Sequence, residues 1–217
     1  MGNIAIDGPA GAGKSTIAKI VAKKKGYIYV DTGAMYRTMA LYMIREGIAA
    51  DETEKIEAAC ERADISIKYE NGEQVVTLNG ENVNGFIRTE EVSNMASAVS
   101  VNGKVREKLV ELQQKLASET DVVMDGRDIG TVVLPDAPCK IYLTASDDVR
   151  AKRRYDELIS KGEEADLNAI KKDIIERDHR DMTRAISPLR RAEDAVFLDC
   201  SSMSIEEVAD KVIEIAG

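Results

Sequence analysis

The chain has 217 residues, 44% of them apolar and 32% charged, and a formal net charge of −9. That length suits one substantial α/β domain with a small inserted subdomain and is cramped for two independent domains. The acidic balance argues against a broad electrostatic hold on nucleic acid or an anionic membrane, and no apolar run approaches the roughly 20 residues that span a bilayer. The chain opens on a strand rather than on a charged, apolar leader, so a soluble cytoplasmic protein is expected, a monomer by default, whose partners are small molecules.

Asn3 to Asp7 reads as a short apolar strand running into Gly8-Pro9-Ala10-Gly11-Ala12-Gly13-Lys14-Ser15, which fits G-x-x-x-x-G-K-[ST] at every fixed position. Ser15 to Lys25 then follows a helical period, with Ile17, Ala18, Ile20 and Val21 on the buried stripe. Glycines 8, 11 and 13 let successive backbone N–H groups converge on phosphate oxygens at a helix N-terminus. The motif puts Lys14 on the β and γ phosphates and offers the Ser15 hydroxyl to Mg²⁺, so a nucleoside triphosphate is the first expected ligand.

Gly26 suits a helix C-cap, Tyr27 to Val30 a second strand, and Asp31-Thr32 the cap of a helix carrying Arg37 and the core methionines 35, 39 and 43. Gly47 ends that helix, and Asp51 with Glu54 makes a capping-box pattern for a third, amphipathic one through Ile56, Ala59, Cys60 and Ala63. The period then changes to two. Ile65, Ile67 and Tyr69, then Val76 and Leu78, alternate around hairpin signals at Asn71-Gly72 and Asn79-Gly80. This predicts an antiparallel meander over about 64–83, inserted into an otherwise parallel α/β pattern; the residues alone leave open whether it decorates the surface or serves the site.

Thr89 caps a helix through Val92, Met95 and Ala96, and Val105, Leu109, Leu112 and Leu116 stripe the next, with Arg106 near its start. Val122 to Met124 has the continuous apolar character of a strand buried on both faces and stops at Asp125-Gly126-Arg127-Asp128, at the strand end where open α/β sheets bind ligands. Cys139 to Leu143 is the next buried strand. Ser146 caps a helix holding Arg150, Lys152, Arg153 and Arg154, closed by Gly162. From Leu167 a helix brings Arg177, Asp181 and Arg184 to one face, and strand Ala195 to Leu198 and a helix capped by Ser204 and Glu207 complete the chain. Cys60, Cys139 and Cys200 are odd in number and far apart, which fits reduced structural thiols. His179 is the only histidine, which excludes multi-histidine metal sites and speaks against a Ser-His-Asp hydrolase.

Any one of Arg37, Arg106, Arg127, Arg177 and Arg184 could be an ordinary surface ion pair; together they suggest an anionic second substrate. If that substrate is a phosphate, its oxygen arrives ionised and needs no protein base, so catalysis reduces to positioning and charge compensation. A GTPase-type switch would need a guanine-reading N-K-x-D segment, which is not found in the sequence.

The segments 7–15, Asp31-Thr32-Gly33-Ala34-Met35-Tyr36-Arg37, 125–133 and Arg177-Asp178-His179-Arg180-Asp181-Met182-Thr183-Arg184 make the chain closely similar, end to end, to the cytidylate kinases, a branch of the nucleoside monophosphate kinases. The resemblance implies an α/β fold with a doubly wound P-loop NTPase core, a five-stranded parallel sheet flanked by helices. It adds a small antiparallel-sheet insertion in the monophosphate-binding region and a helical lid. The core would take residues 1–40, 118–147 and 186–217, the insertion about 41–117, and the lid and substrate helix about 148–185. The activity implied is ATP- and Mg²⁺-dependent phosphoryl transfer to CMP or dCMP; the rivals are a kinase of another small acceptor such as UMP, and a silent nucleotide-binding regulator.

Carried over residue by residue, Gly8 to Ser15 and Thr16 would bind ATP, and Lys14, Arg127, Arg184 and Arg153 would be catalytic. Arg37, Arg127 and Arg184, assisted by Thr32, would bind the monophosphate, and Arg177 and Asp181 the sugar hydroxyls. Ser97, Arg106 and Asp128 would read cytosine, whose N4 amine needs an acceptor while N3 and O2 need donors. Arg150, Arg153 and Arg154 look like lid residues closing over ATP. Many members have serine at position 32 and some have glycine at position 15; here Ser15 permits direct ligation of Mg²⁺. Asp125 could hold a metal-bound water or cap the Gly126 turn.

Overall fold

The computed structural model describes residues 2–70 and 73–217; the hairpin expected at Asn71-Gly72 lies outside the described residues. In chain order the strands are β1 (Ile4–Asp7), β2 (Ile28–Asp31), β3 (Ile65–Glu70), β4 (Glu73–Leu78), β5 (Glu81–Asn82), β6 (Val122–Gly126), β7 (Cys139–Thr144) and β8 (Val196–Asp199). The helices are α1 (Lys14–Lys25), α2 (Thr32–Arg45), α3 (Thr53–Arg62), α4 (Glu90–Val99), α5 (Gly103–Glu119), α6 (Asp147–Ser160), α7 (Leu167–Thr183) and α8 (Ile205–Ala216). Contacts divide the chain into two units, one of Met1–Tyr29 with Thr120–Gly217 and one of Val30–Glu119.

The main sheet has the order β2-β6-β1-β7-β8. β1, buried along its whole length, runs parallel to β6, with Ile6 opposite Asp125 and Asp7 opposite Gly126, and parallel to β7, with Asp7 opposite Tyr142. β8 is parallel to β7. The order reverses at β1, so the phosphate loop leaves the sheet at the switch point where doubly wound folds bind ligands. On one face Ile4, Ile6, Val123, Ile141 and Leu143 pack against Ile17 and Val21 of α1 and Val208 and Val212 of α8. Each such side chain contributes about 1.5–3 kcal/mol by leaving water. The expected capping box of Ser204 and Glu207 starts α8, and Gly26 closes α1 at φ 70°.

The second unit packs α2 against α4, α5 and β4, with Met35, Met39 and Met43 fully buried as core. Its own sheet, β3-β4-β5, is the expected antiparallel meander. Asn79 (φ 49°) and Gly80 (φ 85°) take consecutive left-handed angles, the backbone of the tight turn that Asn-Gly signals.

Some local expectations change, and one feature is new. The capping box at Asp51 and Glu54 does not form: α3 starts at Thr53 with Glu52 as N-cap, whose carboxylate folds back to accept from the Ala49 amide (2.9 Å) and to pair with Lys55 (2.5 Å). The second and last strands each lie one residue later than Tyr27 to Val30 and Ala195 to Leu198. A single π turn, Ile129–Val133, follows β6, a feature that no period in the sequence announces. Cys60, Cys139 and Cys200 are free and buried, and among the described residues no helix is long and apolar enough to cross a membrane.

Candidate active site

The phosphate loop depends on glycine where it leaves β1. At Gly8 (φ 149°) a Cβ would stand 1.9 Å from the Leu143 carbonyl oxygen, so no other residue fits. Gly13 (φ 90°) occupies the N-cap of α1 and makes no side-chain cap, which leaves the first-turn amides to an anion. Lys14 is buried, and its Nζ donates to the Pro9 carbonyl at 2.7 Å. Burial, and then the Arg127 guanidinium, hold the ammonium well below the usual lysine range, against a smaller pull from Asp125. An incoming polyphosphate would supply the negative charge this cluster lacks.

Ser15 Oγ donates to Asp125 Oδ2 at 2.8 Å, and the Tyr29 hydroxyl donates to Oδ1 at 2.9 Å. A hydroxyl and a carboxylate side by side at the helix start form a hard-oxygen pair suited to Mg²⁺, which usually takes one or two protein ligands and completes its shell from phosphates and water. Among the described residues no group of three or more His, Cys, Asp or Glu side chains could hold a metal by itself.

The lid arginines divide into three situations. Arg150 is 3% exposed and donates to the carbonyls of Ala145 (3.0 Å) and Ala10 (2.7 Å), to Asp178 Oδ2 (2.6 Å) and to Asp147. Asp178 Oδ1 in turn accepts from the Ala10 amide at 3.0 Å, so the loop, α6 and α7 are fastened at one point. Most of the Arg150 donors are thus taken up in a buried knot with the loop and α7. Arg153 lies along the loop, donating to the carbonyls of Ala12 (3.4 Å) and Cys200 (3.0 Å). Arg154 is exposed and pairs with Glu157 at 2.9 Å.

Beyond β6, Arg127 Nε donates to Asp181 Oδ2 at 2.8 Å and Nη1 to the Gly126 carbonyl at 3.2 Å. Burial works against the Asp181 charge, but Arg127, with Arg177 and Arg184 behind it, holds the carboxyl below the usual carboxylate range. Arg184 donates to the Ser187 carbonyl at 2.7 Å and lies 3.8 Å from Asp128, which is itself buried. Asp7 accepts from the amides of Ile129 (2.8 Å) and Gly130 (2.7 Å); burial pushes its carboxyl up to about 6, with those two amides pulling the other way.

In the second unit Asp31 caps α2 by accepting from the Ala34 amide (2.9 Å) and pairs with Arg37 (2.9 Å), with Arg88 at 3.5 Å. The Gln74 side chain accepts from the Asp31 amide at 2.8 Å, tying α2's start to the small sheet. The buried Arg37 Nε has no hydrogen-bond partner among the described residues, a donor suited to an anion. Thr32 is buried in the first turn of α2. Arg106 on α5 is buried, donates to the Ser100 carbonyl (3.1 Å) and lies over the Tyr36 ring at 5.5 Å. Ser97 on α4 is half-buried, and its carbonyl accepts from Ser100 Oγ at 2.9 Å.

Comparison with known proteins gives this geometry a family. A family model described as Cytidylate kinase matches residues 4–217. The chain belongs to the cytidylate kinase family. It is 54% identical over 213 residues to the cytidylate kinase of Caldicellulosiruptor saccharolyticus, covering 98% of this chain and 94% of that one. Against the cytidylate kinase of Bacillus subtilis it is 50% identical over 212 residues, covering 98% and 95%. Among solved structures, an uncharacterized protein from Eubacterium ventriosum aligns with a TM-score of 0.52 at 13% identity over 97% of this chain and 95% of that one, a likeness of fold alone.

Within this cytidylate kinase family member the first unit gathers Lys14, Ser15, Asp125, Arg127, Asp128, Arg153, Arg177, Asp181 and Arg184 around the loop and the ends of β1 and β6; Thr32, Arg37, Ser97 and Arg106 belong to the second. In the first unit two polar residues without an expected role hold these groups, Asp7 and Asp178; in the second the expected cap Asp31 also pairs with Arg37. Asp7 and Asp178 stand inside the very segments that carry the family likeness, and that adjacency was the available signal.

Proposed function

We propose that this protein transfers the γ-phosphoryl group of ATP to CMP or dCMP, giving CDP or dCDP, with Mg²⁺. The observation that carries the reading is the grouping, in one unit, of a phosphate loop whose Lys14 feels Arg127 and Arg177, and of the buried acceptor Asp128 beside Arg184. Family membership supports the same reaction.

Lys14 exchanges the Pro9 carbonyl for the β and γ phosphates, and the amides from Gly8 to Thr16 cradle the triphosphate. Ser15 would hold Mg²⁺ through its hydroxyl, with Asp125 able to hold it through water, and the charge that develops between the phosphates would thereby be neutralised. Arg37, Arg127 and Arg184 bind the monophosphate, with Thr32 assisting, and Arg177 and Asp181 bind the sugar hydroxyls. Arg127 brings Asp181 with it: a guanidinium carries five donors, so it can take phosphate without releasing its carboxylate. Arg153, already along the loop, is the lid arginine assigned to the transferring group. Ser97 and Arg106 donate to the cytosine ring while Asp128 accepts from N4; uracil would present a carbonyl there, leaving a buried carboxylate unpaired.

Water must be excluded, because no protein base is required and hydrolysis of ATP would compete. ADP release with ATP and Mg²⁺ in the presence of CMP, dCMP, UMP, AMP or no acceptor tests the proposal. Strong stimulation by CMP and dCMP, weak by UMP and none by AMP is expected. No stimulation by any monophosphate would refute it, and equal rates with UMP would leave a kinase whose base-reading assignment is wrong.

A further inference from the structure

Asp7 makes both of its hydrogen bonds to backbone. It is the last residue of β1 and immediately precedes Gly8, yet Oδ1 accepts from Ile129 N at 2.8 Å and Oδ2 from Gly130 N at 2.7 Å. These two amides open the π turn, and the residue just before them is Asp128. The Asp128 carbonyl is itself taken by the amides of Val132 (2.9 Å) and Val133 (3.2 Å). The backbone that aims the Asp128 side chain is therefore clamped on its C-terminal side by Asp7 and by the turn that Asp7 caps. The fit is close: a Cβ on Gly130 would stand 3.4 Å from Asp7 Oδ2 and 3.3 Å from Lys140 Cδ.

We propose that Asp7 is a positioning residue for base selection, whose carboxylate holds the π turn so that Asp128 cannot retreat from the wrong base. The inference rests on the assignment of Asp128 to the cytosine amine. An acceptor discriminates against a carbonyl only if it is unable to move aside; a free turn would let Asp128 swing away from uracil and find water. Rigidity, more than the presence of the carboxylate, then sets the ratio. Position 7 needs two acceptor oxygens for two amides. Asparagine has only one, so Asp7→Asn sets an N–H₂ against a backbone N–H at nearly unchanged volume.

The experiment compares kcat/KM for CMP and UMP, with saturating ATP and Mg²⁺, in the wild type, D128N, D7N, G130A and D7N/D128N. D128N should collapse the CMP:UMP ratio. D7N should lower it by about tenfold, as expected when a reading group is displaced by a fraction of the ~1 Å that can cost 100-fold, and should add nothing further on top of D128N. G130A, which crowds the same carboxylate, should lower the ratio by a smaller factor, about threefold. A purely structural role for Asp7 would reduce both substrates alike. A folded D7N with the wild-type ratio overturns the proposal; if D7N does not fold, an unchanged ratio in G130A does so. An unchanged ratio in D128N refutes the cytosine-reading assignment itself, which separates that failure from failure of the Asp7 inference.

Discussion

Replacing Asp178 with alanine removes one carboxylate that holds two buried donors. Asp178 and Arg150 are 7% and 3% exposed, and the carboxylate accepts from Arg150 at 2.6 Å and from the Ala10 amide at 3.0 Å. Leaving the amide unsatisfied costs about 1–3 kcal/mol, and breaking a buried ion pair from one side costs about 3–5 kcal/mol. The second figure is an upper bound here, because Arg150 keeps the Ala10 and Ala145 carbonyls and the half-exposed Asp147. A net loss of about 3 kcal/mol is expected, a large part of the ~5–15 kcal/mol that typically holds a domain folded. At a urea slope of about 2 kcal/mol/M the midpoint should fall by about 1.5 M. Asp178→Asn, which keeps an acceptor and the volume, should lose about half as much. Arg150→Met and the D178A/R150M double variant complete a thermodynamic cycle in which the double variant should recover about 2 kcal/mol relative to the sum of the singles. The KM for ATP should rise in D178A, since the amide it frees belongs to the loop. Additive single effects, or a D178A midpoint equal to wild type, would refute the reading of this knot as a stabilising tie between loop and lid.

Arg127→Ala should lower kcat/KM for CMP by about 10²–10³-fold, the usual cost of deleting a charge-stabilising donor, and near-normal turnover would remove Arg127 from the site. Ser15→Ala should raise the Mg²⁺ concentration for half-maximal rate several-fold while Asp125 keeps its Tyr29 hydroxyl; an unchanged Mg²⁺ dependence would argue for a shell of phosphates and water alone. The Asp7 carboxyl, raised by burial from 3.8 to about 6, binds its proton more tightly in the folded chain. Its contribution to stability is therefore fully present below about pH 4 and is lost as pH rises through about 6, a change on the order of 3 kcal/mol. Urea midpoints of wild type and D7N should diverge accordingly between about pH 4 and pH 7, and parallel curves would contradict the raised value. Activity is a poorer probe of this group, because the second ionisation of a nucleotide phosphate also falls near pH 6.

Periodicity was enough to place nearly every helix and strand, because apolar stripes such as Ile17, Ala18 and Val21, or the unbroken Val122 to Met124, are dictated by burial. Caps with a short polar side chain were equally legible: Asp31, Thr89, Ser146 and Ser204 all accept from the amide three residues on. The Asp51 and Glu54 pattern fails because Glu52 takes the cap position, and its longer side chain bonds the Ala49 amide behind it and Lys55 ahead of it, a choice that sequence spacing does not record. The π turn escaped for a related reason. It is held by Asp7, more than a hundred residues earlier, and no local propensity encodes a cap supplied from another strand. Arg150 shows the limit at the site: its position among lid arginines was readable, but its commitment to Asp178 and to the Ala10 carbonyl depends on the packing of α6 against α7.

Several buried charges of the first unit are tied to a polar group close to the phosphate loop. Lys14 rests on a loop carbonyl, Ser15 on Asp125 and Arg127 on Asp181, so no charge waits desolvated and alone. On the proposed function the first two ties would be exchanged, since a phosphate is a better partner for an ammonium than a carbonyl is, and a hydroxyl beside a carboxylate suits Mg²⁺. The ties made by Asp7 and Asp178 are of another kind. They end on backbone amides and on the Arg150 guanidinium, at the two points where the loop adjoins the π turn and helices α6 and α7. On the proposed function, exchangeable pairs would let ligands bind without the full desolvation cost of a bare ion, and fixed pairs would keep the reading groups from yielding to the wrong ligand.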